Sequence, residues 1–524
     1  MLKKPVIVLG ALCFLAASRG GAQEYELPFR AEDFDDGDLK VFWGRDKHSD
    51  SGVQEWGYDL GAERYDTVKK EWTEFKEGGE DRTKNSDSLI YKKKIYAMRA
   101  GTVIACWRNA PENKPKNVYH AKVNEGYVYG GGNGYWIEHD DGTRAEYAHM
   151  FPGSVPSDLC PHDAELLPAK ITSPTVANAW PHIRVTNGKH VSQGQFLGRV
   201  GNVGTSSDPH LHVHVEKGGT ADTTKSGGEP VKVQFKRGLS APEDNTTAHP
   251  GWKTFAGKSI PQGPVLVWPP RTVVGEYARH GYPATIFQEL FDHLTDSGFW
   301  PVWLDTYSVG GKSYLNEIWR PAEKEWRAHC LRDGTTHQKN SDDADKDGFG
   351  PVFVDSSVSG SQTLYTAIYV KGEPSDMIFR HGLTPSQHDT ELTNAKSRKL
   401  RPVNISVVSH GGQRAYTVLY RPEKIGAWEV RSQIAEADYQ GEYDQQKKEG
   451  RRPIYLNAYM HNGKPFLSAV FASDRPAGKD RHLMSADEYQ KEFDSALEAG
   501  MLTRTVTSFD GASSHHRYAA AWWK

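Results

Sequence analysis

Five arginines recur at intervals of close to 50 residues through the second half of the chain: Arg279, Arg327, Arg380, Arg431 and Arg481. Three of them open an Arg-His pair, at 279–280, 380–381 and 481–482. Twelve positions on, an aromatic-Asp pair returns at Phe291-Asp292, Tyr443-Asp444 and Phe493-Asp494, and a proline follows at Pro301, Pro402 and Pro453. The second copy is two residues longer and places its proline at Pro351. Such a period means that one supersecondary unit is repeated and that neighbours must bury each other's apolar faces. Within the first copy, Phe287, Leu290, Phe291 and Leu294 follow the spacing of an amphipathic helix, whereas the runs around Val302-Trp303-Leu304 and Tyr314 to Trp319 read as strands. Turn pairs at Gly310-Gly311, Ser359-Gly360, Gly411-Gly412, Asn462-Gly463 and Asp510-Gly511 separate the two strands. Each unit therefore reads helix, strand, turn, strand, and five of them stack in an arc or close into a ring over residues 272–524.

In the second copy, Asp343-Ala344-Asp345-Lys346-Asp347-Gly348 mimics the start of a calcium loop, but its twelfth position is Val354 and the bidentate glutamate is missing. The register places this segment at a helix end, where the glycine serves as a C-terminal cap.

The 524 residues include 51 glycines, 29 prolines and 11% aromatics, a mixture that favours short strands and tight turns. The expected fold class is mainly β with α+β repeats. With 25% charged residues and a net charge of −3, neither a polytopic membrane protein nor a nucleic-acid binder is indicated. Lys3 and Lys4 precede an apolar run from Val6 to Ala17 and the small residues Gly20-Gly21-Ala22, the pattern of a secretory signal peptide cleaved near Ala22. The run is too short to span a bilayer, so a secreted or periplasmic protein is expected. Cleavage would remove Lys3, Lys4 and Arg19 and leave a net charge of −6. Of the cysteines beyond the leader, Cys106 and Cys160 form one admissible disulfide with Cys330 left over, or all three remain thiols. The expected order is a leader (1–22), a lead-in (23–49), a first domain (50–238), a linker (239–271) and the repeats (272–524).

Chemistry concentrates in the first domain. Gly201 to Asp208, rich in glycine and hydroxyls, leads into Pro209-His210-Leu211-His212-Val213-His214. On an extended strand His210 and His212 share a face, so one can hold a metal and the other handle a proton. Upstream, Asn133 to Gly142 reads as strand and turn, returning through Tyr147-Ala148-His149-Met150, and Glu55-Trp56-Gly57-Tyr58-Asp59 lies further before it. Segments Tyr96 to Val103 and Gly188 to Gly198 complete the set.

In order and spacing these pieces resemble the secreted zinc metallopeptidases of the M23 family, the lysostaphin and LytM type, over residues 50–236. The resemblance implies an antiparallel β-sheet crossed by a groove. It also implies a Zn2+ held by Asp59, His212 and a third residue that maps to Glu55, where the family has histidine. His149 and His210 would flank the metal-bound water, one as general base and the other stabilising the charge that builds on the scissile carbonyl oxygen. A glutamate can ligate zinc, and in an extended segment Glu55 and Asp59 would share a face. Two carboxylates leave the ion a weaker Lewis acid. His48 is the other available donor, and a degenerate site without zinc is the remaining alternative.

The Arg-His-Gly starts and the Ile318-Trp319-Arg320-Pro321 ending resemble the bacterial tandem repeat family found in secreted hydrolases, including polyglycine-cleaving enzymes. The expected function is a secreted zinc metalloendopeptidase that cleaves peptide cross-links of peptidoglycan or a related glycine-containing peptide, with the repeats binding or positioning it. The alternative is a catalytically degenerate domain that binds cell wall or protein.

Overall fold

The computed structural model describes residues 24–34, 42–44, 52–118, 121–123, 126–128, 130–163, 183–218, 227–243, 246–373, 376–422, 426–511 and 515–524. The leader at 1–22 and His48 lie outside these residues. The chain divides into two compact units, one of residues 20–272 with 292–297 and one of 273–291 with 298–524. No helix among the described residues is long and apolar enough to cross a membrane.

The first unit is built on an antiparallel sheet. Its strands are β1 (Tyr58–Leu60), β2 (Gly101–Trp107), β3 (Gly134–Glu138), β4 (Thr143–Ala148), β5 (Leu211–Lys217) and β6 (Glu229–Pro230). They run β2, β3, β4, β5, β6, and β1 pairs with the first residues of β5. Alternation along each strand sorts the two faces. Tyr58, Leu60, Tyr135, Ile137, Ala145, Tyr147, Leu211, Val213 and Val215 enter one apolar core. The residues between them, Asp59, Trp136, Arg144, Glu146, His212, His214 and Glu216, share the other face. Cys106 and Cys160 form a disulfide in the core, and Cys330 is a buried thiol of the second unit.

Residues 239–271, expected as a linker, are not plain connecting chain. Leu239–Pro242, Lys253–Thr254 and Val265–Trp268 form a four-stranded sheet with Phe42–Gly44. Val265, Leu266, Val267 and Trp268 are all buried, which supplies the apolar driving force that a Pro/Gly-rich reading of this stretch overlooks.

The second unit is a ring of five blades. Each has three antiparallel strands and a helix. The inner strands are Phe299–Val309, Phe349–Ser359, Arg401–His410, Arg452–His461 and Leu502–Gly511. Each packs on the next and the fifth packs on the first, so the ring is closed. A hydrogen-bonded girdle runs around its centre. The N–H groups of Thr306, Ser356, Val407, Ala458 and Ser508 donate to the side chains of Asp355, Ser406, Asn457, Thr507 and Asp305, each on the neighbouring blade. Burial makes each such bond expensive to lose.

The recurring proline also finds its reason. The inner strands are bulged between Pro301 and Trp303, Pro351 and Phe353, Pro402 and Asn404, and Pro453 and Tyr455, where a residue without an N–H is tolerated. The strand that opens each blade was not anticipated. The Arg-His segments themselves pair as outer strands, for example Tyr277–Pro283 and Ile378–Leu383. Their side chains are only half buried, so they lack apolar alternation. Their histidines bind the blades together: His381 lies against His337 on α1 (Gly334–Lys346), His482 against Tyr439, and His280 against Tyr489 of the fifth blade. As expected, α1 ends at the Asp343–Gly348 segment, with Gly348 at φ +78°. There Asp347 pairs with Arg327 and Asp343 with Lys339.

Candidate active site

Strand pairing brings two of the expected residues, Asp59 and His212, face to face and sets His149 and His210 at the adjoining strand ends. Asp59 on β1 stands directly opposite His212 on β5, and Ala148 at the end of β4 stands opposite His212 on its other side. His149 is the next residue after β4. Asp59 Oδ1 lies 2.9 Å from His212 Nδ1 and 3.6 Å from His210 Nε2. The rings of His149 and His210 are 4.7 Å apart, and those of His149 and His212 are 6.0 Å apart.

The loops hold the two flanking imidazoles in defined tautomers. His149 adopts φ +65°, and its Nδ1–H donates to the Val203 carbonyl at 2.7 Å, which leaves Nε2 as the proton acceptor. Burial and the neighbouring His210 and His212 push its pKa well below that of an ordinary histidine, so the ring is neutral at neutral pH. His210 is partly open to solvent and donates from Nδ1 to the Asp208 carbonyl at 2.8 Å. Its Nε2 therefore faces Asp59. The 201–208 loop reaches this position because Gly204, at φ +86°, passes where a Cβ would come within 2.4 Å of the Gly130 carbonyl. The Asn113 amide donates to the carbonyls of Gly204 and Ser206 at 2.7 and 2.8 Å and fixes the loop from below.

Glu55 sits differently. The extended run expected from Glu55 to Asp59 begins only at Tyr58, and Gly52 to Trp56 forms turns, with the Glu55 N–H donating to the Gly52 carbonyl. Two turn hydrogen bonds, the second from Gly57 N–H to the Gln54 carbonyl, take the glutamate out of the i, i+4 strand register. Among the described residues, Glu55 belongs to no cluster of three ligand atoms within metal-binding span. Asp59 and His212 nevertheless offer the carboxylate oxygen and imidazole nitrogen that zinc prefers, side by side and next to two further imidazoles. These are two donors of the kind such an ion takes; among the described residues, the three ligand atoms that lie within 4.8 Å of one another are those of Glu146, His212 and His214.

Two residues on the same face went unused in the sequence reading. His214 Nδ1 lies 3.0 Å from His212 Nε2 and 3.4 Å from Glu146 Oε2, and all three side chains are buried. The third histidine of the His-x-His-x-His run was the visible signal. Glu146 carried none, because its neighbour is set by cross-strand register. Beyond them, the Arg144 guanidinium pairs with Glu216 in the interior.

Among solved structures, the chain is similar to a zinc-containing peptidase from Vibrio cholerae, with 16% identity, 40% of this chain and 39% of that chain covered, and a TM-score of 0.17. It is also similar to the catalytic domain, in a mutant form, of the prophage-encoded M23 protein EnpA from Enterococcus faecalis (23% identity, 27% and 73% covered, TM-score 0.12). A third likeness is to the antimicrobial peptidase lysostaphin from Staphylococcus simulans (13% identity, 65% and 84% covered, TM-score 0.16). The family described as polyglycine hydrolase-like structural repeat matches residues 274–322, 324–372, 375–422, 425–474 and 476–524. These segments coincide with the five blades, and the C-terminal half of the chain, from 274 to 524, is thus an array of five polyglycine hydrolase-like structural repeats.

Proposed function

We propose that the first domain is a secreted zinc-dependent endopeptidase acting on the peptide part of bacterial cell wall or a similar glycine-containing peptide, with the repeat ring binding or positioning that substrate. The observation that carries this reading is the convergence of His149 and His210 on the Asp59–His212 pair, since a merely structural ion would need no further imidazoles beside it. Asp59 and His212 would hold the metal, with Glu55 or His48 as the third donor. When bound, zinc supplies Lewis acidity and lowers the pKa of its water to about 7. His149, neutral and unprotonated at Nε2, accepts a proton there and returns it to the departing amine. His210, with Nδ1–H held by the Asp208 carbonyl, would serve this step as the imidazolium, donating Nε2–H to the charge that develops on the scissile carbonyl oxygen. The substrate class comes from the resemblance of the motifs, not from the geometry.

The turn at Glu55 favours a second reading, a groove that binds wall peptide without cleaving it. Metal analysis and amide-cleavage assays on the mature chain and on Glu55→Ala, Glu55→His and His48→Ala variants decide between them. Near-stoichiometric zinc with cleavage supports the peptidase, and whichever alanine variant loses the metal identifies the third donor. A metal-free, inert chain that gains both properties in Glu55→His marks an eroded site.

A further inference from the structure

The proposed metal pair leaves one contact of His212 unexplained. A neutral imidazole that holds an ion on one nitrogen carries its proton on the other. His212 turns Nδ1 toward Asp59, and its Nε2 faces His214 Nδ1 at 3.0 Å. The His214 ring is itself confined. It stands edge-on to Trp136, with centroids 5.3 Å apart and planes at 87°, and Glu146 lies directly opposite it in the strand register. His214 is only 2% exposed, so water does not compete for this contact.

Building on the peptidase reading, we propose that His214 is a positioning residue: it accepts the Nε2–H of His212 and thereby commits Nδ1 of His212 to the Asp59 side, where the ion would be held. Outer partners of this kind fix the tautomer and plane of a ligating histidine and are usually carboxylates or carbonyls. Here a third histidine on the same strand face takes that place.

A competing geometry exists. The ligand atoms of Glu146, His212 and His214 lie within 4.8 Å of one another, close enough to clasp an ion in the interior. The positioning role is preferred because Asp59, with His210 Nε2 beside it, stands on the Nδ1 side of His212, whereas the side chains of Glu146, His212 and His214 are buried, with His214 against Trp136.

The two arrangements separate cleanly in zinc affinity, measured on the full mature chain by competition with a chromogenic chelator. His214→Phe keeps a ring against Trp136 and removes the acceptor, whereas His214→Gln retains one. The expected result is a roughly 10- to 100-fold loss of zinc affinity in the phenylalanine variant and a value within a few-fold of the unaltered chain for both the glutamine variant and Glu146→Gln. Histidine nitrogen NMR of the zinc-loaded unaltered chain needs no variant and is expected to find His212 protonated at Nε2. Unchanged affinity in His214→Phe overturns the positioning role. Loss of zinc in Glu146→Gln as complete as in His212→Ala overturns it as well and makes the buried trio the metal site. An unaltered chain that takes up no zinc refutes the peptidase reading itself, a failure distinct from the other two.

Discussion

His212 Nδ1 and Asp59 Oδ1 meet at 2.9 Å across 153 residues of sequence, because β1 pairs with the first three residues of β5 in a register that sets the two residues opposite each other. The same register points Tyr58 and Val213, their immediate neighbours, into the apolar core. A one-residue slip of β1 would turn Asp59 inward and Tyr58 toward the site, so core packing enforces the juxtaposition.

Asp59→Ala and His212→Ala should each abolish zinc retention and cleavage together. His149→Ala and His210→Ala should keep near-stoichiometric zinc while lowering kcat by roughly 10²- to 10⁴-fold, the range expected for a lost acid, base or oxyanion group. Metal content by elemental analysis beside kcat on a glycine-containing peptide gives the split. A His149→Ala variant with full activity would remove it from the chemistry.

Trp303 should be the most costly single truncation in the ring. It packs on Phe353 and Tyr455, and its Nε1–H donates to the Val506 carbonyl at 2.7 Å. Replacing it by alanine removes a large buried ring and a hydrogen bond that joins the first blade to the fifth. A loss of about 3–5 kcal/mol in denaturant unfolding is expected.

Asp355 gives the ring a pH dependence. Burial holds its carboxyl above the ordinary 3.8, with Asp305 nearby raised likewise by burial and by the Asp355 charge. A folded-state value above the unfolded one means that the folded ring binds the proton more tightly. The stabilisation is therefore complete below 3.8 and is lost as pH rises through the elevated value. Asp355→Asn should flatten this dependence and raise the melting temperature near neutral pH. A profile unchanged by the substitution would assign the slope to other groups.

Leu483 is a site of relievable strain. It occupies φ +59° at the outer-strand bulge, where Gly281 and Gly382 stand in the first and third blades, and it is 42% exposed. An L-residue in the left-handed region costs roughly 1–2 kcal/mol, part of which glycine returns as chain entropy. Leu483→Gly should stabilise the ring by about 0.5–1 kcal/mol, and Gly382→Ala should destabilise it by a similar amount, both read from thermal unfolding.

Local pattern carried much of this protein. The helix at Phe287 to Leu294 and the turn pairs are short-range features, because a 3.6-residue or two-residue periodicity and the conformational freedom of glycine act within a few positions, and the arginine period shows the same unit copied along the chain. The same locality placed His212 and His214 on one face of β5, whereas His210, expected on that face, lies in the loop just before the strand. The outer strands were not legible, since a half-buried edge strand has no apolar alternation to betray it, and Val265 to Trp268 read as linker because their burial depends on partners far along the chain.

Tertiary structure alone decided the rest. Ring closure depends on girdle bonds such as Thr306 to Asp355 and Ser508 to Asp305, which couple residues one or four blades apart in sequence. The pairing of Cys106 with Cys160, the turn that carries Glu55 away from the strand register, and the placement of Glu146 against His214 are likewise long-range outcomes. Residue types and spacing determine which side chains can share a face. Which faces meet is set by strand register and core packing, and these are properties of the folded chain as a whole.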